Sequence, residues 1–186
     1  MGFHTFDAER ADSLEDAARR YRYCSAEELL GALSLDGDEH VADLGSGTGF
    51  YTDDVAPFAG TVSAVDVQAA MHEYYREKGV PANVELITAE VGDVPFETDG
   101  LDAAFSTMTY HEFASEAALA AVGRALAPGG RFVIVDWAAS GRGDAGPPLD
   151  ERYSVETART ALEAAGFEID VAAPRQETFV IVARAQ

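Results

Sequence analysis

Three glycines at alternate positions, Gly45, Gly47 and Gly49, follow an apolar run carrying a carboxylate in the stretch VADLGSGTGF, residues 41–50. Glycine reaches positive φ without steric penalty and has no Cβ to hold another group away. The chain must therefore turn sharply here and lie close to something. In open α/β sheets such a turn leads from a strand into a helix at the carboxyl edge, where ligands bind. The spacing is GxGxG with Asp43 two residues ahead, not the GxGxxG of dinucleotide sites.

The rest of the chain supports a parallel sheet. Short apolar runs alternate with amphipathic stretches, the pattern of βαβ units. Strands are expected at His40–Leu44, Thr61–Asp66, Val84–Thr88, Leu101–Ser106 and Arg131–Asp136. Phe167–Ala172 and Thr178–Ala183 are separated by five residues and read as an antiparallel pair. Helices are expected at Gln68–Gly79, Ser115–Leu126 and Ser154–Ala165, the last capped by Gly166. Ser25 and Glu28 form a capping-box pattern ahead of Leu29, Leu30 and Leu33. The glycine- and proline-rich stretch 140–148 reads as a flexible loop placed where pocket lids are built.

Four further elements follow the glycine loop in order. The run VSAVD, residues 62–66, is a strand ending in Asp66, 21 residues after Gly45, and a carboxylate there can accept both hydroxyls of a ribose. The segment NVELITAEVGDVPF, residues 83–96, carries Glu90 and Val91, with Asp93 as a competing acid. LDAAFSTMTYHEF covers residues 101–113, and ALAPGGR covers 125–131. Together with residues 41–50 these resemble, in order, the motifs of the class I S-adenosylmethionine (SAM)-dependent methyltransferases, nearest in wording to the small-molecule, ubiquinone- and menaquinone-type branch.

That resemblance implies a Rossmann-like α/β/α sandwich with strand order 3-2-1-4-5-7-6, the last strand antiparallel. It implies SAM as cofactor. Asp43, Gly45, Ser46, Gly47 and Gly49 would form its loop, with Asp43 helping to anchor the cationic amino group. Asp66 and Val67 would meet the ribose, Glu90 and Val91 the adenine, and Ser106 and Thr107 the methionine part. The chain departs from the pattern at Glu90, where Asp is usual, and at Tyr110-His111-Glu112, where Leu-His-His is common. The acceptor is expected to be a small molecule methylated at carbon or oxygen. A nicotinamide-dependent oxidoreductase, a non-catalytic cofactor-binding protein, and methylation of protein or tRNA are the alternatives. One domain over residues 1–186 is expected, with 1–24 as a helical extension or lid and 25–186 as the core.

A displacement at an activated methyl needs alignment before it needs acid–base help. A base matters only if the acceptor is protonated. His111, just past the fourth strand, is the catalytic candidate because histidine titrates near neutrality; Tyr110 and Glu112 flank it. Asp136 and Trp137, at the end of the fifth strand, are candidates to line the acceptor site. The N-terminal segment Phe3–Ser25, with His4, Phe6, Arg19, Arg20, Tyr21, Arg22 and Tyr23, is expected to pack over the sheet or shape the acceptor pocket.

Composition narrows the partners. There are 33 Asp and Glu against 13 Lys and Arg, a net charge of -20, and Lys78 is the only lysine. Such a surface disfavours phosphate backbones, so no nucleic-acid partner is expected. The acids are spread along the chain, which suits adaptation to high salt, where screening relieves their repulsion. No membrane span and no secretory leader is read, so a cytoplasmic location is expected, with a homodimer allowed. Cys24 is the single cysteine and reads as a small buried hydrophobe, and the four scattered histidines give no metal site.

Overall fold

The computed structural model describes residues 7–186; His4 and Phe6 lie outside the described residues. A 3-10 segment (Ala8–Glu15) and helix α1 (Ala17–Tyr21) precede α2 (Ala26–Leu33). The core then runs β1 (His40–Leu44), α3 (Phe50–Val55) with a 3-10 turn at Ala56–Phe58, β2 (Thr61–Asp66), α4 (Ala69–Lys78) and β3 (Val84–Thr88). It continues through a 3-10 turn (Val91–Asp93), β4 (Leu101–Thr107), α5 (Tyr110–Phe113), α6 (Glu116–Ala125) and β5 (Leu126–Trp137). Another 3-10 turn (Leu149–Glu151), α7 (Val155–Ala164), β6 (Glu168–Pro174) and β7 (Thr178–Arg184) complete it.

The seven strands form one sheet in the order β3-β2-β1-β4-β5-β7-β6. β1 to β5 run parallel, and β7 is antiparallel to both β5 and β6. This is the expected fold. Both faces are covered, so alternate residues of each strand serve different cores. Ala42, Phe132 and Ile134 pack with α6 and α7 through Leu119, Val122, Ala158 and Leu162. Val41, Val133 and Val135 face α2 and α3 through Leu29, Leu33, Tyr51 and Val55. A sheet buried on both sides needs strands apolar at nearly every position, which is why residues 132–135 read as one continuous run.

Local chemistry sets the ends of the elements. Ser25 Oγ accepts from the Glu28 amide at 3.2 Å, but the Glu28 side chain turns away to Arg175, so only half of the capping box forms. Gly166, at φ 90°, ends α7: its amide donates to Glu163 O and that of Phe167 to Leu162 O, the paired bonds of a Schellman turn. The strand expected at 131 begins five residues earlier, at Leu126. Residues 127–130 bulge out between the pairs Leu101–Leu126 and Ala103–Arg131, and they hydrogen-bond instead to Ala185 beyond β7. The loop at 140–148 is pinned rather than loose: buried Arg152 donates from Nε to Pro147 O at 2.9 Å and from Nη2 to Ala145 O, with its guanidinium 5.3 Å from the Trp137 ring.

The functional edge follows from strand order. From β1 the chain moves outward to β2 and β3, then returns to the other side of β1 as β4. The loops after β1 and β4 therefore diverge and leave a crevice at this switch point. Gly49 caps α3 there at φ 80°, and a Cβ on it would lie 2.1 Å from the Tyr75 ring of α4. Tyr75 itself donates to Asp53 at 2.6 Å, so its ring is held in place. Gly49→Ala is expected to lose about 2–5 kcal/mol in urea unfolding, combining left-handed strain with overpacking. Gly31→Ala, in exposed helix with nothing near its Cβ, should instead gain about 0.5–1 kcal/mol.

Candidate active site

The crevice opens into a cavity of about 550 Å³ bordered by Gly45–Thr48, Asp66–Gln68, Ala89–Asp93 and Met108–Thr109. The glycine loop is tied to β2: the amides of Gly45 and Ser46 both donate to Val65 O, at 2.8 and 2.9 Å. A Cβ on Gly45 would fall 2.3 Å from the Thr109 side chain, so this glycine lets the loops after β1 and β4 touch. Gly47, at φ 54°, borders the cavity itself. Gly49 borders no part of it and serves packing against Tyr75.

Asp66 ends β2 with its carboxylate at the loop. Oδ2 accepts from the Gly47 amide and Oδ1 from the Gln68 amide, both at 2.8 Å. Burial raises its pKa, and the two backbone donors oppose that rise. Each oxygen still has a lone pair in reserve for a ligand hydroxyl. Val67, Glu90 and Val91 border the same cavity, as does Asp93, so both acids weighed for the third region are present.

Asp43 lies one layer beneath. It is 1% exposed; Oδ2 accepts from Thr52 Oγ1 at 2.6 Å, while Oδ1 has no hydrogen-bond partner. Burial pushes its pKa up to about 7, against opposing contributions from the Thr52 bond and the Arg20 charge. An orphaned, buried carboxylate oxygen is costly, and a cation at the loop above would relieve it. Ser46 Oγ and Arg20 Nε are likewise enclosed without partners, and both residues border the cavity. The cavity volume, the Cβ-free loop, the Asp66 carboxylate and these unsatisfied atoms fit an adenosine that carries an amino acid.

Ser106 and Thr107 are placed differently from expectation. Both are buried in β4 and neither borders the cavity; Met108 and Thr109, the next two residues, take that wall. Met108 turns the chain with φ 62° and donates to Val135 O at 2.7 Å.

A second cavity of about 300 Å³ adjoins the first, and Leu14, Arg20, Met108 and Glu112 border both. His111 faces the second cavity only. Its amide donates to Asp136 Oδ2 at 2.7 Å, and its Nδ1 lies 3.0 Å from Asp136 Oδ1. Burial disfavours the imidazolium, but the hydrogen bond and charge of Asp136, with Glu112 and Glu151, outweigh it and raise the His111 pKa. Burial also lifts Glu112 to about 7. Trp137 and Tyr23 line this cavity with ring centroids 4.7 Å apart, whereas Asp136 is wholly buried behind His111. Tyr21 points elsewhere and donates to Asp54 at 2.9 Å.

The N-terminal segment closes over both cavities. Glu15 accepts from Thr48 and pairs with Lys78 at 3.2 Å; Lys78 also pairs with Asp53 at 2.8 Å. Tyr51 donates to the carbonyls of Arg20 and Cys24, and Arg20 lies over the Tyr51 ring at 4.7 Å. The Asp136 partnership was missed in the sequence, where Asp136 stands 25 positions from His111, and Arg20 was marked only as one of the arginines of the N-terminal segment, in the stretch RRYR.

Fold and site together define an α/β protein with an adenosine-type cofactor crevice and an adjoining cavity. A family model described as a methyltransferase domain matches residues 42–134. A SAM-dependent methyltransferase from Aquifex aeolicus superimposes with a TM-score of 0.86 at 29% identity, covering 98% of this chain and all of that one. An uncharacterised methyltransferase-like protein of Schizosaccharomyces pombe is 28% identical over 132 residues, 70% of this chain and 50% of that protein. A sterol 4-C-methyltransferase of Caenorhabditis elegans is 26% identical over 128 residues, 66% of this chain and 37% of the enzyme. The chain thus spans half or less of the length of these two curated relatives. It belongs to the class I SAM-dependent methyltransferases.

The raised Asp43 pKa has a definite sign. The folded state holds this proton more tightly than the unfolded chain, whose value is near 3.8, so the group's favourable contribution is present below that pH and lost by about 7. Asp43→Asn removes the loss. Its melting temperature should exceed that of the parent by a margin that grows from pH 4 to 7 and is flat above, while SAM affinity at pH 7.5 falls about 10-fold or more by calorimetry.

Proposed function

We propose that this chain transfers the methyl group of SAM to a small molecule held in the cavity beside Met108, with His111 as general base. One observation carries the reading: the two cavities meet at Met108 and Glu112, with the His111–Asp136 pair on the acceptor side. The cofactor supplies an activated methyl on a sulfonium. What the chain contributes is alignment and a proton acceptor.

Asp136 only accepts hydrogen bonds, so it selects the tautomer of His111 with the proton on Nδ1. Nε2, 3.9 Å from Glu112 Oε1, then carries the free lone pair. It takes the proton of an acceptor hydroxyl or acidic carbon as the new bond forms, which supports O- or C-methylation. Asp136 and Glu112 stabilise the imidazolium that results. Leu14, Trp137 and residues 146–148 border this side. The charge of -20 supports work in a medium of high ionic strength.

Because His111 must be neutral to act, turnover should rise with pH through a midpoint above 6.5, the ordinary histidine value. His111→Ala should lower kcat by about 100- to 10,000-fold while leaving SAM affinity within about 2-fold. Asp136→Asn should also slow turnover and move the midpoint downward, because the carboxylate holds the imidazole pKa up. Labelled-methyl transfer across pH reads both, and full turnover by His111→Ala would refute the base assignment.

A further inference from the structure

We propose that the methyl acceptor is a small organic anion, an apolar or aromatic body bearing a carboxylate or phosphate. The proposal rests on the methyl-transfer reading and deepens it. Its basis is the distribution of cations. The chain has 33 acidic and 13 basic residues, an excess of about 2.5 to 1. Around the acceptor cavity that excess vanishes: Arg10, Arg19 and Arg20 face Asp7, Glu112 and Glu151. Burial lifts the Glu112 carboxyl to about 7, so it is about half neutral at that pH. Next to this cavity, with Tyr23 as a shared wall, lies an open groove of about 550 Å³ bordered by Arg22, Arg142 and Arg175, with Glu28, Asp144 and Glu177 opposite. Nearly half the positive charge of a strongly acidic chain is thus gathered at one mouth.

Such an arrangement acts at two ranges. A net charge of -20 repels anions from most of the surface, and a mouth where six arginines balance six acids is the approach that repels them least. At contact, a guanidinium offers a planar fork that carboxylate and phosphate oxygens match. Arg20 carries the sharpest sign of an absent partner, since its Nε is enclosed without a hydrogen bond and its guanidinium lies over the Phe50 and Tyr51 rings. Arg20 also borders the cofactor cavity, so it serves either ligand. Arg19 borders the acceptor cavity alone and is exposed on α1, which makes it the cleaner probe. Trp137, Tyr23, Pro147 and Pro148 supply the apolar walls that an aromatic body fits.

The test compares three phenols of matched shape with the full-length protein and labelled SAM at fixed ionic strength: 4-hydroxybenzoate, 4-hydroxyphenyl phosphate and neutral 4-hydroxybenzamide. The anions are expected to exceed the amide in kcat/KM by about 10-fold or more, the worth of one charge-assisted hydrogen bond. Their ranking separates carboxylate from phosphate. In Arg19→Gln the advantage should shrink to about 3-fold or less, while SAM binding measured by calorimetry is unchanged. An amide that reacts as well as the anions overturns the inference and leaves methyl transfer standing. So does an anion advantage that survives Arg19→Gln, or the absence of any binding heat from either anion in the cofactor-loaded protein. Failure of the parent protein to bind SAM would sink the methyl-transfer reading itself.

Discussion

The loop after β1 has to be approached from two sides at distances that exclude a Cβ. Thr109 presses on Gly45 from the β4 side, and the Tyr75 ring presses on Gly49 from α4. Between them Gly47 borders the cavity, with the Leu14 side chain 3.4 Å from where a Cβ would stand, and its amide is held by Asp66. The cofactor crevice is therefore set by packing around a backbone rather than by side chains reaching into it. Substitution at Gly45 or Gly49 would move the loop even where the new side chain never met a ligand.

Electrostatics add a second layer. Three carboxylates near the crevice, Asp43, Asp66 and Asp136, are buried in a chain already rich in negative charge. Each is handled differently. Asp66 is met by backbone amides, and Asp136 by the amide and ring of His111. Asp43 has one hydroxyl and an unsatisfied oxygen. The least compensated of the three lies one layer beneath the glycine loop, and a cation bound there would return part of its folding cost.

Much of this was legible from residue order alone. Strand positions and the Gly166 cap follow from local apolar pattern and glycine placement, which short stretches of sequence encode, whereas the sheet order came from the resemblance to the family. Asp66 was legible as the acid at a strand end; Val67, Glu90 and Val91 came from the resemblance, and all four border the cavity. The rest depends on distant parts of the chain. Ser106 and Thr107 were assigned to the wall from the resemblance; β4 ends at Thr107, one residue past the expected end, and Met108 and Thr109 just beyond it border the cavity. The role of Gly49 depends on a ring 26 positions away, and the His111 tautomer on an acid 25 away. Arg20 was marked only with its segment, because nothing local distinguishes it from Arg19 or Arg22.

Met108 stands where the two compartments meet, in a backbone conformation that few side chains tolerate. Valine and isoleucine are poorly suited to that conformation, and glycine would ease the strain but remove the barrier. The partition is left to a long, polarizable thioether with several rotamers of similar energy. A barrier of that kind yields to the shape of whatever lies against it. The same sulfur is open to oxidation, and a sulfoxide there would set a polar, chiral group between donor and recipient.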